Sequence, residues 1–344
     1  MTEEYFIKRC LQLAEKGKGT VAPNPMVGAI LVYEGKIIGE GWHRQYGEAH
    51  AEVNCIQNVK EEYRHLIPES TMYVSLEPCA HYGKTPPCAE RIVKEKIKNV
   101  VVCNEDPFEQ VAGKGMRILE DNGIVVKKNI LDAEGKWLNR RFFTFHQHKR
   151  PYIILKWAQT TTGFFAPVDR SRLQLSNKHS LQLVHKWRTE EAAIMVGFNT
   201  ALKDNPQLTS RYYKGKQPLR IFLDKHLRLP LSHHVYDDTA PTWIVNTKKE
   251  EQGASVRLVK KTFDETLLTE LLRELYEANI QSLIVEGGVQ LLERFIEQNL
   301  WDEARVFSTD VFLPDGLKAP VLTNARPVYR TSIHSDMLHV FLHA

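Results

Sequence analysis

Short apolar runs alternate with amphipathic stretches along the first half of the chain. Apolar runs predict buried strands at 29–33, 37–41, 72–76, 100–103 and 124–127, the first two joined by a turn at Glu34-Gly35-Lys36. Apolar side chains at helical spacing predict helices over 2–16, from His50 to Val59, from Cys88 onwards and over 116–122. Strands that alternate with helices predict a three-layer α/β domain.

The second half of the chain repeats this alternation. Apolar runs predict strands at 152–158, 193–197, 220–224, 243–246 and 282–286. Helical spacing predicts a helix capped by Ser176 and further helices over 264–279 and 289–299, whereas the polar stretch from Asn199 to Pro206 predicts a loop. The stretch 138–149 becomes basic and polar at its end, and we therefore expect domains at 1–148 and 149–344.

Length and charge narrow the class of protein. The 344 residues suffice for two domains, and 42% hydrophobic with 26% charged residues is typical of a soluble globular protein. The net charge of +4 is slight and its lysines and arginines are dispersed, which argues against a nucleic-acid partner. No apolar run reaches the roughly 20 residues of a membrane span. Five cysteines without an apolar leader favour a reducing compartment, so we expect a cytoplasmic protein.

His50, Cys79 and Cys88 carry the clearest chemistry in the sequence. One imidazole and two thiolates suit Zn²⁺, and three protein ligands leave a fourth position for a water that is ionised near neutral pH. Glu52 completes the H-x-E…P-C signature of zinc deaminases, in which the glutamate is the general acid/base and not a ligand. We therefore expect one catalytic zinc ion per chain, with Glu52 as the proton carrier.

The second part of this motif leaves an alternative. Eight residues separate Cys79 from Cys88, where zinc deaminases generally have C-x-x-C. A closed structural zinc site, with His81 or His43 as the fourth ligand, is the alternative interpretation. Cys88 opens a predicted helix, whose N-terminus stabilises a thiolate, and this placement favours the catalytic arrangement.

Two other features each allow a structural and a functional interpretation. Asn24 lies between Pro23 and Pro25, so its backbone is restricted. It is either a structural turn residue or a residue whose amide binds a ligand. Gly287 and Gly288 separate a predicted strand from a helix, as in a phosphate cradle or in an ordinary tight turn. The pair is not a G-x-G-x-x-G motif and indicates a dinucleotide only weakly.

Taken together, these motifs resemble the bifunctional riboflavin-biosynthesis deaminase/reductase family, known as RibD in bacteria. In the first half, the resemblance rests on the segments 23–28, 41–43, 50–52, 77–88 and 106–115, and the eight-residue spacing between the cysteines is the family's own. It implies a cytidine-deaminase-like fold, with substrate contacts from Asn24, His43 and Lys84 and with Lys84 near a phosphate. The implied reaction hydrolyses the 2-amino group of 2,5-diamino-6-(5-phosphoribosylamino)pyrimidin-4-one.

For the second half, the resemblance implies a dihydrofolate-reductase-like fold that uses NADPH to convert the ribosyl group of the deaminated product to ribityl. Positions that match the family's substrate contacts are Lys156, Arg188, Leu208, Arg211 and Glu286. Positions that match its cofactor contacts are Ala158, Thr200, Asp204 and Gly288. The two arginines also suit a ribose phosphate, because a guanidinium binds phosphate in a bidentate manner.

The second half departs from the family's pattern at Thr162, Arg172, Gln174 and Ala192. An active deaminase with an impaired or non-catalytic reductase half is therefore the alternative to an enzyme with both activities. A deaminase of nucleic acid would need a basic, aromatic-lined groove, against which the dispersed charge argues. The resemblance implies a small phosphorylated aminopyrimidine as the substrate and a homo-oligomer as the assembly, with neither nucleic acid nor a membrane as a partner.

Overall fold

The structure is a computed structural model that describes residues 1–80, 82, 86–108, 111–169 and 173–344. The chain divides into two compact units, Met1–Lys149 and Arg150–Ala344. Among the described residues, none of the helices is both long and apolar enough to cross a membrane.

The first unit is built on a five-stranded sheet in the order β2-β1-β3-β4-β5. Its strands are β1 (Gly28–Tyr33), β2 (Lys36–Trp42), β3 (Thr71–Leu76), β4 (Asn99–Asn104) and β5 (Val125–Lys127). β1 pairs antiparallel with β2 and β3, whereas β3, β4 and β5 are parallel. The helices are α1 (Glu3–Glu15), α2 (Ala51–Gln57), α3 (Cys88–Lys94), α4 (Lys114–Asp121), α5 (Asp132–Leu138) and α6 (Arg140–His148), with a 3₁₀ helix at Glu61–Glu69.

Helices cover both faces of this sheet. Ile30 and Leu31 are neighbours in β1, and their side chains enter different cores because side chains alternate across a strand. Ile30 packs with Ile7 of α1 on one face. Leu31 packs with Ile56 near the end of α2 and with Ile92 of α3 on the other. The predicted three-layer α/β arrangement is thus confirmed for this unit.

The position of α2 depends on a glycine in β2. A Cβ atom at Gly41 would lie 2.2 Å from the backbone nitrogen of Cys55 and 2.5 Å from the carbonyl oxygen of Ala51. Since real Cβ contacts are far longer, any side chain at position 41 would push the helix away. The glycine therefore fixes the N-terminal turn of α2, which carries His50 and Glu52.

The second unit is built on a ten-stranded sheet in the order β11-β12-β10-β9-β8-β13-β6-β14-β17-β16, with a separate ribbon of β7 and β15. Its strands are β6 (Tyr152–Thr160), β7 (Phe164–Ala166), β8 (Ala193–Val196), β9 (Leu219–Leu223), β10 (Thr242–Asn246), β11 (Glu251–Gln252), β12 (Val256–Lys260), β13 (Ser282–Glu286), β14 (Glu303–Thr309), β15 (Leu317–Lys318), β16 (Ala325–Ile333) and β17 (Asp336–His343). The helices are α7 (Lys178–Glu190), α8 (Phe198–Asp204), α9 (Leu267–Glu277) and α10 (Val289–Glu297), with a 3₁₀ helix at His234–Tyr236.

Neighbouring strands are parallel from β12 to β14, and β17 and β16 extend the sheet as an antiparallel hairpin. A parallel sheet must be covered on both faces. Leu271 of α9 and Phe295 of α10 belong to the core on one face. Val184 of α7 packs with Phe222 and Phe307 on the other. The second unit is therefore also α/β, as expected.

Two local predictions in this unit are wrong. The stretch predicted as a polar loop after β8 contains helix α8, whose single buried residue is Ala201, so no apolar stripe marks it in the sequence. The helix predicted to be capped by Ser176 is capped by Asn177, whose side-chain oxygen accepts the N–H groups of His179 and Ser180. Serine and asparagine cap equally well, so the sequence did not distinguish the two adjacent positions.

Candidate active sites

One histidine and two cysteines meet at the ends of three elements in the first unit. His50 is the N-terminal cap residue of α2, Cys79 follows the end of β3, and Cys88 is the first residue of α3. Nδ1 of His50 lies 3.5 Å from Sγ of Cys79 and 3.4 Å from Sγ of Cys88. All three ligand atoms lie within 4.8 Å of one another.

This group fits a tetrahedral zinc ion. Bonds of about 2.0 Å to nitrogen and about 2.3 Å to sulfur separate tetrahedral N and S ligands by about 3.5 Å, which both distances match. Hydrogen bonds from Cys88 and His50 outweigh burial and lower the pKa of the Cys79 thiol to about 4. The metal-free site therefore favours the thiolate at Cys79, the form that binds a metal, whereas Cys79 and burial raise the pKa of the Cys88 thiol.

Glu52 lies in the first turn of α2 and is 3% exposed. Burial, reinforced by the negative charge of Cys79, raises the pKa of this carboxyl to about 7 despite the opposing effect of His50. A cation bound by the three ligands would lower that pKa by attracting the carboxylate. A carboxyl group that gains and loses its proton near neutral pH is suited to general acid/base catalysis.

His43 and Asn24 bind each other beside these ligands. Nδ1 of His43 lies 3.1 Å from the carbonyl oxygen of Ala49, and its Nε2 lies 3.2 Å from Nδ2 of Asn24. Because a carbonyl oxygen only accepts, the proton is on Nδ1 and Nε2 accepts from the asparagine amide. Both ring nitrogens are thus engaged, and His43 does not serve as a fourth metal ligand. His81, the other candidate for that place, and Lys84 lie outside the described residues.

Glu77 supports this site and was missed in the sequence prediction. Its carboxylate is buried and accepts four backbone N–H groups at 3.0 to 3.3 Å, those of Asp106, Gly113, Gly115 and Met116. A carboxylate has two oxygens that can accept such bonds, which a neutral side chain could not all replace. Glu77 thereby attaches the segment that enters α4 to the residues just before Cys79. The signal in the sequence was an acidic residue directly after the apolar run that forms β3.

For two more buried polar residues, Asn139 and Asp106, the sequence predicted no contact. Asn139 pairs with the backbone of Met26, whose N–H and carbonyl oxygen it binds at 2.9 Å each, and so braces the turn that carries Asn24. Asp106 is 8% exposed and accepts the N–H of Phe108 at 2.8 Å. Burial raises the pKa of Asp106 to about 7. Asn139 is 113 positions from its partner, and no periodic pattern relates residues at such a separation.

The residues predicted for the reductase half line one cavity in the second unit. The cavity has a volume of about 560 Å³ and lies at the carboxyl ends of β6, β8 and β13, where open α/β sheets bind ligands. Its lining contains every one of those nine residues: Lys156, Ala158, Arg188, Thr200, Asp204, Leu208, Arg211, Glu286 and Gly288.

A buried ion pair sets the charge of this cavity. Nη2 of Arg188 lies 2.8 Å from Oε2 of Glu286. Burial disfavours the carboxylate, but Arg188 and Lys156 outweigh it and hold the pKa of Glu286 at about 2. Burial, only partly offset by Glu286, lowers the pKa of Lys156. Together with Arg211, these cations suit an anionic ligand.

The glycine pair before α10 faces Thr200. Gly287 and Gly288 both have φ of +74°, a conformation that glycine adopts easily. Cβ atoms at these positions would lie 3.3 and 3.4 Å from the Thr200 side chain. Both glycines line the cavity at the N-terminus of α10, which favours the phosphate cradle over an ordinary turn.

Three of the four positions that depart from the family's pattern are described, namely Thr162, Gln174 and Ala192. Gln174 lines the cavity, and the hydroxyl of Thr162 lies 2.8 Å from that of Thr160. The backbone N–H of Ala192 donates to the hydroxyl of Ser282 at 2.9 Å. Arg172 lies outside the described residues.

Two family models match the chain. Residues 1–104 match the cytidine and deoxycytidylate deaminase zinc-binding region, and residues 151–326 match the RibD C-terminal domain. The first match contains His50, Glu52 and both cysteines of the metal site, and the second contains the nine cavity residues.

Relatives and solved structures match over nearly the whole chain. The riboflavin biosynthesis protein RibD of Aquifex aeolicus is 39% identical over 323 residues, which cover 92% of this chain and 89% of the relative. A diaminohydroxyphosphoribosylaminopyrimidine deaminase/5-amino-6-(5-phosphoribosylamino)uracil reductase from Thermotoga maritima has a TM-score of 0.90 and 33% identity, with 99% of each chain covered. RibD from Acinetobacter baumannii has a TM-score of 0.89 and 28% identity over 99% of each chain. The chain therefore belongs to the RibD family of riboflavin-biosynthesis proteins, with a zinc-dependent deaminase and an NADPH-dependent reductase in one polypeptide.

Proposed function

We propose that residues 1–148 hydrolyse the 2-amino group of 2,5-diamino-6-(5-phosphoribosylamino)pyrimidin-4-one, and that residues 149–344 then reduce the ribosyl group of the product to ribityl. The observation that carries this proposal is the metal-ligand group His50, Cys79 and Cys88 with the buried Glu52 beside it. The reductase step is supported by the cationic cavity of the second unit, which suits a phosphorylated substrate.

In the deaminase, Glu52 carries the proton. His50, Cys79 and Cys88 would hold a zinc ion, which would supply a water that is ionised near neutral pH. The Glu52 carboxylate would accept a proton from the attacking water as the water oxygen bonds to C2 of the ring. It would then donate that proton to the exocyclic nitrogen as the C–N bond breaks and ammonia leaves. The amide of Asn24 and the neutral ring of His43 contact the pyrimidine, and Lys84 binds its phosphate.

In the reductase, the chain binds two anionic ligands, the phosphorylated substrate and NADPH. NADPH, when bound, supplies the hydride. Arg188 and Arg211 bind the substrate phosphate, Lys156 and Leu208 contact the substrate, and Ala158, Thr200, Asp204 and Gly288 contact the cofactor. Oε1 of Glu286 and Nε of Arg188 are buried without a hydrogen-bond partner among the described residues, and polar groups of a bound substrate would satisfy them. Since Glu286 stays ionised, its role is to orient Arg188 and the substrate, not to donate a proton.

The partner in both steps is a small molecule. The net charge of +4 is dispersed over the chain, which does not suit a nucleic-acid substrate. We expect the enzyme to be a homo-oligomer, as the family resemblance implies, and size-exclusion chromatography with light scattering tests this directly.

A single assay tests the proposed sequence of reactions. Purified zinc-loaded protein is given the diaminopyrimidinone phosphate and NADPH, and ammonia release and NADPH oxidation are followed together, with Glu52→Ala as the control. We expect both signals in the parent and neither in the control, because the reductase receives its substrate from the deaminase. Absence of both signals in the parent would refute the proposed substrate.

The departures at Thr162, Gln174 and Ala192 favour a second candidate, a deaminase with an impaired reductase half. Gln174 carries this alternative, since it lines the cavity and donates its Nε2–H to the carbonyl oxygen of Ser176 at 3.0 Å. Ammonia release without NADPH oxidation would support it. Saturable NADPH binding, measured by calorimetry, would count against it.

A further inference from the structure

His185 lies beneath the reductase cavity and has no part in the proposed chemistry. It is fully buried, lies on α7 one turn before Arg188, and lines the cavity. The backbone N–H of Arg211 donates to its Nδ1 at 2.9 Å. Nδ1 is therefore unprotonated, and the neutral ring carries its proton on Nε2.

Further contacts between described residues attach the same loop, residues 205–218, to α7. Nη1 of Arg188 donates to the carbonyl oxygen of Thr209 at 3.2 Å. The ring of Tyr212 packs edge-on against His185, with centroids 4.6 Å apart. The attached segment carries Leu208 and Arg211, two cavity residues that lie in the loop between α8 and β9. His185 thus holds the backbone at position 211 directly, while bonds between Ser210 and Gln217 hold the residue before it.

The side chain of Arg211 is exposed, unlike that of Arg188. Its Nη1 donates to Oε1 of Gln207 in the same loop, so the direction of the guanidinium follows the position of the loop backbone. The hydrogen bond from the backbone N–H of Arg211 to the buried ring of His185 constrains the position of that backbone.

We propose that His185 is a positioning residue of the reductase, which holds the Arg211 backbone so that the guanidinium meets the phosphate of the substrate. This inference rests on the proposed function, because it assigns the phosphate to the reductase cavity. It predicts that loss of the Nδ1 acceptor weakens binding of the phosphorylated substrate while NADPH binding is kept.

The surrounding charges explain why the ring remains neutral. Arg188 of α7, Arg211 of the loop and Lys156 of β6 face it as cations, and Glu286 of β13 is the acidic group among them. Burial and the arginines lower the pKa of His185 to about 4. A proton on Nδ1 would place N–H against N–H and remove the bond to Arg211, so the loop should loosen as the pH falls towards that value.

Two substitutions distinguish the effect of the Nδ1 acceptor of His185 from that of its aromatic ring. His185→Phe keeps an aromatic ring of similar size but has no acceptor, whereas Oδ1 of Asn in His185→Asn can occupy the place of Nδ1. His179→Phe is the matched control, since His179 is exposed on the same helix. Calorimetry measures the Kd of the deaminated phosphate substrate, of its dephosphorylated form and of NADPH for each protein.

We expect His185→Phe to raise the Kd of the phosphorylated substrate about tenfold, the effect of one lost hydrogen bond to a group that orients a charge. His185→Asn should restore most of that affinity, and the control should match the parent. The dephosphorylated substrate and NADPH should bind all proteins within about twofold, since neither uses the Arg211–phosphate contact. On lowering the pH towards 4, affinity for the phosphorylated substrate should fall faster in the parent than in His185→Asn.

Each other outcome is decisive. If His185→Phe binds the phosphorylated substrate as tightly as the parent, or if His185→Asn fails as badly as His185→Phe, the positioning role is wrong. An equal loss for the dephosphorylated substrate and NADPH would show a general collapse of the cavity and overturn the inference as well. A parent that binds neither form of the substrate would instead refute the proposed function, and the inference would fall with it.

Discussion

At the scale of single residues, the same side-chain type serves two purposes because its neighbours differ. Glu52 and Glu286 are both buried glutamates. Burial dominates at Glu52 and raises its pKa to about 7, whereas Arg188 and Lys156 overcome burial at Glu286 and hold its pKa at about 2. The first carboxyl can therefore carry a proton at neutral pH, and the second is a permanent negative charge.

Replacement of Glu52 by glutamine should separate catalysis from metal binding. Glu52→Gln keeps the shape of the side chain but removes the group that accepts a proton, so ammonia release should fall by about 10²–10⁴-fold or more. Zinc content, measured by elemental analysis, should stay at one ion per chain because Glu52 is not a ligand. NADPH oxidation with supplied deaminated substrate should be unchanged. Loss of zinc from the variant would show that Glu52 holds the metal.

Removal of the Glu286 carboxylate should leave a buried charge without its partner. Glu286→Ala strands Arg188, and breaking a buried ion pair from one side costs about 3 to 5 kcal/mol of unfolding free energy. Calorimetric unfolding should show this loss at pH 7, with Glu293→Ala, an exposed position on α10, as the control.

The loss should depend on pH with a defined sign. The folded-state pKa of Glu286 is lowered from 4.5 to about 2, so its stabilising effect is fully present above pH 4.5 and is lost as the pH falls towards 2. The difference in stability between parent and Glu286→Ala should accordingly shrink below pH 4.5. A constant difference down to pH 2 would contradict the lowered folded-state pKa of Glu286.

At the scale of elements, helices and strands with a periodic apolar face could be predicted from the sequence, whereas those without one could not. Apolar runs and helical spacing predicted the strand that precedes Cys79 and the helix that begins at Cys88. Together with the motif itself, these local signals sufficed to predict the metal site. The edge strand β16 is exposed along most of its length, so it has no alternation that would identify it. Contacts such as that of Glu77 with α4 depend on how the elements pack, and local patterns do not encode them.

We expect the hydrogen bonds of Glu77 to hold the N-terminus of α4 close to the metal site. In Glu77→Gln an amide NH₂ replaces one carboxylate oxygen, so two of the four backbone N–H groups lose their acceptor and face donors. We expect a loss of about 1 to 3 kcal/mol of unfolding free energy and faster hydrogen exchange at those four amides. Deaminase activity should fall with it.

The matched control for this change is Glu105→Gln. Glu105 is on the same segment but exposed, with Lys128 as an ion-pair partner at 3.6 Å, and surface pairs of this kind contribute little. Equal effects of the two substitutions on the four amides would mean that charge on the segment matters and that the Glu77 hydrogen bonds do not.

At the scale of the whole molecule, the described residues predicted for each reaction belong to one unit. The metal ligands and Glu52 belong to Met1–Lys149, and the nine cavity residues belong to Arg150–Ala344. The cores that support them are separate as well, since the residues of each cluster come from one unit. The two activities should therefore respond independently to a perturbation that acts on one site.

Removal of the metal from the intact protein provides such a perturbation. A chelator should abolish ammonia release, because the water is then no longer ionised near neutral pH, and added Zn²⁺ should restore it. Reduction of supplied deaminated substrate by NADPH should continue in the metal-free protein, since the described residues that line the reductase cavity include none of the three metal ligands. The two rates are measured on the same sample before and after chelation. If reductase activity disappears together with the metal and returns with Zn²⁺, the units are coupled, and the separate cores do not make the sites independent.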